Sequence, residues 1–427
     1  MASTTQRSAT AHDDQPLIPP PTQKAKPRLV VGMALAQMGI FVSLLTPIVA
    51  GLTIKVQSLV GPDDAVTSLG IVSSAGAIAA LIANPVFGRI SDRTTSRYGR
   101  RRPWLVIGSL GLTASLLLIA TAQSVAVVAI GFFIASVFAN AALATFTATV
   151  ADQIPMSQRG KIGGLMGVMQ NVAILGSAYS AKFFATQLLL LFMVPGLVGL
   201  LLVGVFVMVL PDKRLPRRPP SEGGLRTVLR TFWVSPRRHP DFALVWVSRF
   251  LIVLGAALFT TFRLLYLQRD LALSHSEAAA AMATGVLLYT CVLVVSAQAA
   301  GWLSDKVGRR KPFIAGATLI FSAGLAMLVQ ADSVNGFYIA ELVLGLGYGV
   351  YVGVDLALVI DVLPSPDNAS KDLGVFNIAN AGPQVIAPGL GALLVNIGGG
   401  HNYGLLLGTA AAICLVGVLA VIPLKAR

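Results

Sequence analysis

Twelve long apolar runs divide the chain, at approximately 29–55, 65–87, 104–122, 124–150, 162–184, 187–210, 242–266, 277–300, 313–330, 334–362, 373–397 and 403–424. Most are about 20 residues or longer, the length of helix that crosses a hydrocarbon layer of roughly 30 Å. Their apolar character is continuous rather than alternating. That predicts helices, because the open edge of a sheet cannot survive where every backbone polar group needs an internal partner. With 55% hydrophobic and 12% charged residues, the chain lies far from the soluble range of about 25% charged. The predicted fold class is an all-α integral membrane protein with twelve transmembrane helices.

A formal net charge of +14 would suit a nucleic-acid binder only as a basic face on a soluble fold. Here the cations fall between apolar runs, so membrane topology accounts for them and no nucleic-acid partner is expected. Cys291 and Cys414 lie inside apolar runs without metal-ligand spacing and read as packing residues. His12, His239, His275 and His401 are scattered outside the runs, with no nucleophile and base at catalytic spacing, which argues against an enzyme. The polar first 28 residues are unlike a signal peptide, and the first run is expected to stay as an anchor.

Lysine and arginine set the orientation, because they accumulate on the cytoplasmic side. With the N-terminus inside, 27 of the 32 fall in segments on that side, leaving Lys55, Lys182, Arg249, Arg263 and Arg269. Both termini are expected in the cytoplasm, in a multi-pass protein of the plasma (inner) membrane. The expected organisation is a tail at 1–28, a six-helix bundle at 29–210, a proline- and arginine-rich linker at 211–240, a second six-helix bundle at 241–424 and a cytoplasmic end at 425–427. Within the linker, Leu225 to Trp233 reads either as an amphipathic piece lying on lipid headgroups or as part of a solvated tether.

Two loops repeat one pattern. Gly88 to Trp104 (GRISDRTTSRYGRRRPW) and Gly301 to Phe313 (GWLSDKVGRRKPF) each place a glycine and then an aspartate where an apolar run ends, followed by a basic link. A tight turn is expected there. Asp92 and Asp305 are 213 positions apart, half of the 427-residue chain. A second signature recurs at nearly the same offset: Asp152 to Pro155 (DQIP) with Arg159, Lys161 and Gly164, then Asp361 to Pro364 (DVLP) with Lys371 and Gly374. The chain reads as two copies of one membrane unit, hence two pseudo-symmetric six-helix bundles.

These residues resemble the loop signature of the major facilitator superfamily of secondary transporters. Gly301, Ser304, Asp305, Lys306, Gly308, Arg309 and Arg310 match it, and Gly88, Ser91, Asp92, Arg93, Gly99, Arg100 and Arg101 match it with a longer insert before the second glycine. The longer form, ending Arg101-Arg102-Pro103, is similar to the branch of sugar-cation and sucrose-proton symporters. The resemblance implies two bundles around a central cavity, lined mainly by the first, fourth, seventh and tenth helices, rocking between inward-open and outward-open states. On that basis Gly88, Asp92, Arg93, Arg100, Arg101, Gly301, Asp305, Lys306, Arg309 and Arg310 form a conformational latch. Its aspartates can bind neighbouring arginines and the positive N-terminal end of a facing helix. Turn capping alone would explain the aspartates, but not their company of glycine and basic residues.

An ionisable side chain deep in a bilayer costs at least about 2.5–3.5 kcal/mol, so those present face a partner or a wet cavity. Arg249 and Arg263 lie in the seventh run and Glu341 and Asp355 in the tenth, each pair 14 residues apart. At 3.6 residues per turn both members lie within about 40° of one face. Depth pairs Arg249 with Asp355 near the cytoplasmic ends, and Arg263 with Glu341 in the outer halves. Such pairs serve transport or merely neutralise buried charge. If a proton couples transport, Asp355 or Glu341 is its expected carrier. The first half has no acid within a run, unlike the sodium-coupled proteins of this resemblance, which argues against sodium coupling and for a proton or for uniport.

Neutral polar residues complete the candidate cavity: Gln37 in the first run, Asn140 in the fourth, Gln170 and Asn171 in the fifth, and Asn377, Asn380 and Gln384 in the eleventh. The last three fall at i, i+3 and i+7, beside Gly382-Pro383 and Pro388, which are expected to bend that helix. Each amide alone is better explained by hydrogen bonds between helices than by ligand contact; as a stripe they suit a polyhydroxylated solute. Tyr348 and Tyr351 are candidates for stacking. The sequence therefore predicts a transporter importing a sugar-like small molecule as a monomer in the lipid bilayer, with no cofactor or metal and a proton as coupling ion. The alternatives are a proton-antiporting exporter of drugs or metabolites, and a non-transporting receptor or scaffold, which gains nothing from paired intramembrane charges and two latches.

Overall fold

The computed structural model describes residues 21–61, 64–215, 237–362, 369–399 and 401–423; the segment Leu225 to Trp233 lies outside them. Among these residues there is no strand, and twelve helices are long and apolar enough to cross a membrane. They are α1 Pro27–Val60, α2 Ala65–Asp92, α3 Arg102–Thr121, α4 Val125–Gln153, α5 Met156–Phe184, α6 Leu188–Val209, α7 Pro240–Arg269, α8 His275–Val307, α9 Lys311–Val329, α10 Val334–Asp361, α11 Ala369–Asn396 and α12 Tyr403–Val421.

Two expectations about helix ends are corrected. First, α1 does not stop near residue 55 but continues to Val60. Lys55 is buried, and its Nζ donates to the Ala120 carbonyl at 2.9 Å, in the last turn of α3. The negative end of a helix dipole thus satisfies the charge, and the helix has no reason to end there. Upstream, Pro47 lacks an N–H, and α1 accommodates it with a wider π-helical turn over Pro47–Gly51.

Second, Gly88 and Gly301 are not turn residues. Both lie inside helices, which run on to Asp92 and Val307, and the chain turns instead at Gly99 (φ 103°) and Gly308 (φ 66°). The two repeats share a detail here: the Ser91 hydroxyl donates to the Gly88 carbonyl and the Ser304 hydroxyl to the Gly301 carbonyl, both at 3.0 Å. A serine bonding back along its own helix lets the final turn form without an external cap.

Close packing within the second bundle depends on glycines at every fourth position of α10. A Cβ on Gly345, Gly349 or Gly353 would lie 2.4 Å from the Tyr289 carbonyl oxygen, 2.0 Å from Ser296 Oγ and 2.3 Å from the Ala297 carbonyl oxygen. The stripe lets α10 meet α8 backbone to backbone, the close approach that small residues permit between membrane helices.

Among the described residues, one buried apolar cluster spans both bundles, and it lies at one end. At the end carrying the basic loops each has its own buried cluster, with Met33, Phe146 and Phe206 in the first and Phe242, Val354 and Phe376 in the second. At the opposite end one continuous apolar cluster takes Leu52, Val66 and Phe192 from the first bundle and Leu258, Phe262 and Leu407 from the second. Two hydrogen bonds cross between bundles there: Gln57 Nε2 donates to Gln268 Oε1 at 2.5 Å, and Asn396 Nδ2 to Thr67 Oγ1 at 2.8 Å. Gly70 admits α11 at the same level, since a Cβ would sit 3.0 Å from the Pro388 carbonyl oxygen. Among the described residues, the apolar seal between the bundles lies opposite the basic loops.

Candidate functional site: charged pairs in the second bundle

Arg249, Asp355 and Asn380 come from three helices and meet. The Arg249 guanidinium donates from Nη1 to Asp355 Oδ2 and from Nε to Asn380 Oδ1, the latter at 2.7 Å. The Tyr351 hydroxyl, one turn before Asp355, donates to its other oxygen at 2.7 Å. Phe376 of α11 lies beneath the guanidinium, 4.6 Å from its carbon to the ring centre. Both carboxylate oxygens are thereby occupied, and the arginine is held by charge, hydrogen bond and ring face together. The side chain of Asp355 is 7% exposed and that of Arg249 18%, so water reaches the pair mainly from the cation's side.

Arg263 and Glu341 also approach, but differently. Arg263 Nε lies 3.1 Å from Glu341 Oε1 without hydrogen-bond alignment, and neither oxygen of the fully buried Glu341 has a hydrogen-bond partner among the described residues. Arg263 packs instead over Phe259, at 4.7 Å, and near Tyr289, at 5.9 Å. Glu341 sits in the α8–α10 seam, where a Cβ on Gly285 would be 3.2 Å from its Cγ.

The neutral residues divide. Asn380 joins the charged pair and Gln384 is exposed, while the side chain of Asn377 lies outside the described ones. Asn140 is buried and bonded within the first bundle, accepting from Asn84 Nδ2 at 3.2 Å and donating to the Ser136 carbonyl at 2.9 Å. Asn171 bonds its own helix at the Gly167 carbonyl, Gln170 is half-buried and Gln37 is buried. Tyr348 stacks among Tyr289, Phe321 and Tyr351.

At the basic end, Asp92 receives Arg101 Nη2 at 2.7 Å and Asp305 lies 3.5 Å from Arg310 Nη2. Arg101 also donates to Asp152 Oδ2 at 2.8 Å and to Ser91 Oγ at 2.7 Å, while Arg100 reaches Asp152 Oδ1 at 2.6 Å. Lys306 lies over the Trp302 ring, Arg309 is exposed, and a Cβ on Gly88 would meet open space. On Gly301 it would lie 3.3 Å from the Gly353 carbonyl. Burial disfavours the charge of Arg101, but hydrogen bonds and attraction from Asp152 and Asp92 outweigh it and raise its pKa.

Two residues of this network were not among the latch residues read from the sequence. Asp152 belongs to the repeated DQIP signature, which pointed to it without giving its partner. Asp212 carried no signal: it accepts from the backbone N–H of Arg101 and Arg102 at 2.7 and 2.9 Å, so the start of the linker caps α3. Gly99 is required there twice, by its positive φ and because a Cβ would fall 2.1 Å from Asp212 Oδ2.

The family model described as Major Facilitator Superfamily matches residues 29–297 and 245–427. The chain belongs to that superfamily. As a superfamily member it is a multi-pass membrane transporter. The uncharacterized MFS-type transporter Rv2456c of Mycobacterium tuberculosis is 27% identical over 368 residues, covering 83% of this chain and 82% of its own. The sucrose transport protein SUC4 of Arabidopsis thaliana is 32% identical over 117 residues, 26% of this chain and 21% of that protein. Among solved structures, the nucleoside transporter NupG in its D323A form superposes with a TM-score of 0.74 at 14% identity, over 93% of this chain and all (100%) of that one. At that identity the likeness is one of fold.

Proposed function

We propose that this superfamily member carries a small polar solute, of the sugar or glycoside class, into the cell by alternating access coupled to protons. Both termini and the basic loops lie in the cytoplasm in this reading, so the arrangement described is inward-open. The observation that carries it is the Arg249–Asp355–Asn380 cluster, which ties α7, α10 and α11 together in the half nearer the basic loops. A proton arriving on Asp355 removes the partner of Arg249, and the cation must then find another acceptor. A hydroxyl-rich solute beside Asn380 and Gln384 supplies one. The basic loops serve as the latch of the opposite state. Asp92 is 57% exposed here and holds its own arginine, free to meet a facing helix when the basic end closes.

The test is uptake of labelled sugars, nucleosides and apolar antibiotics into vesicles reconstituted with the protein, with and without an imposed pH gradient. The proposal expects concentrative uptake of a polar solute that a protonophore abolishes. Movement of apolar cargo alone, or outward movement driven by protons, would replace it with the exporter reading.

A further inference from the structure

The two repeated basic loops carry their own counter-charges, since Asp92, Asp152 and Asp305 each lie against an arginine there. A second basic surface, where α1 and α5 begin, carries none. Lys24, Lys26, Arg28 and Lys161 are exposed, and none of these side chains has a hydrogen bond or ion pair among the described residues. Neither α1 nor α5 contains an aspartate or glutamate. The acid that precedes α5, Asp152, has both oxygens occupied by Arg100 and Arg101. Arg159 is engaged otherwise, donating to the carbonyls of Ala151 and Ile154.

These cations are gathered by a contact between distant segments. The Ala25 N–H donates to Gln158 Oε1 at 2.9 Å, and Ala25 packs on the buried cluster that holds Leu29, Met33 and Ile162. Lys24 and Lys26, on either side of Ala25, are thereby held over the first turns of α5. Lys161 lies one turn beyond Gln158 on the same side of that helix. Arg28 follows in the first turn of α1. Arg28 and Lys161 each stand just before the buried residues that open an apolar run, Leu29 and Ile162, and apolar Val31 and Met156 are exposed close by. Such a border is headgroup level, where lysine and arginine attract acidic lipid. We propose that this patch binds the phosphate headgroup of an anionic phospholipid, with the tail pinned by Gln158 supplying Lys24 and Lys26. A soluble phosphate would leave Val31 and Met156 uncovered. The inference rests on the membrane fold and not on substrate, coupling or orientation.

The full-length protein in detergent is titrated at low salt with phosphatidylglycerol or phosphatidylcholine, and the first bound lipid is followed by native mass spectrometry. Phosphatidylglycerol is expected to bind more tightly. One Lys or Arg beside an acidic membrane is worth about fivefold in affinity, so Lys161→Gln should weaken that binding about fivefold and Lys24→Gln with Lys26→Gln about 25-fold. Gln158→Ala keeps every charge and should also weaken it. Lys213→Gln with Arg214→Gln, which removes exposed cations elsewhere at the same end, should leave it unchanged. Unfolding temperatures of all variants in lipid-free detergent should match the parent's, and millimolar inorganic phosphate should not displace the lipid. Equal affinity for both lipids, or an equal loss in the patch and control variants, overturns the site. Unchanged binding in Gln158→Ala overturns the role of the pinned tail, and displacement by phosphate overturns the lipid assignment.

Discussion

Gln57 of the first bundle and Gln268 of the second meet across the molecule, Nε2 to Oε1, at 2.5 Å. With the bond from Asn396 to Thr67 they rim an apolar seal that a rocking transporter must open in every cycle. Gln57→Cys combined with Gln268→Cys should cross-link under mild oxidation. Transport should stop, and reduction should restore it. A cross-linked protein that transports at full rate would show that this end never opens.

The Arg101 side chain, 3% exposed, serves Asp152, Asp92 and Ser91 at once. Its loss takes the donor from the buried Ser91 and from one oxygen of Asp152, while Arg100 still holds Asp152 and Asp92 is solvated, so Arg101→Ala should cost about 1–3 kcal/mol. Arg101→Lys should recover only part of this, because a single ammonium cannot reproduce the guanidinium fork. Thermal unfolding in detergent ranks the three, and a lysine variant as stable as the parent would contradict the assignment.

Among the described residues Glu341 has a charged neighbour but no hydrogen bond, and it packs beside Gly285 in the α8–α10 seam. Removing one member strands the other, so Glu341→Gln alone should lower the unfolding temperature. Arg263→Met with Glu341→Gln should return most of it, the pattern of a pair that neutralises itself. If the double variant is as unstable as the single, the two charges are not coupled.

Along the same seam, Gly349→Val should prevent correct assembly, since even a Cβ would lie 2.0 Å from Ser296 Oγ and 2.5 Å from the Leu293 carbonyl. Gly316, where a Cβ meets nothing within 4 Å, is the control and should accept alanine. Folded yield by size-exclusion chromatography reads both.

Much of this was legible because it repeats or because it is expensive. Charges inside apolar runs are costly, and their 14-residue spacing in two runs at matching depths was enough to pair Arg249 with Asp355 and Arg263 with Glu341 before any coordinates. Contacts made by ordinary residues between distant segments were not legible. Nothing local marks Asp212 as the cap of α3, or Gln57 and Gln268 as partners. Lys55 misled by its charge alone, because its acceptor is a carbonyl 65 positions away. Which end is sealed depends on the packing of two whole bundles, a property no single stretch carries.

The central claim is that Asp355, held by Arg249 and Tyr351, links proton movement to solute movement. The most direct measurement compares Asp355→Asn with the parent protein in reconstituted vesicles, for accumulation driven by a pH gradient and for exchange of labelled against unlabelled solute. The account predicts that accumulation is lost while exchange persists. Accumulation at the parent's level in the asparagine variant would contradict it.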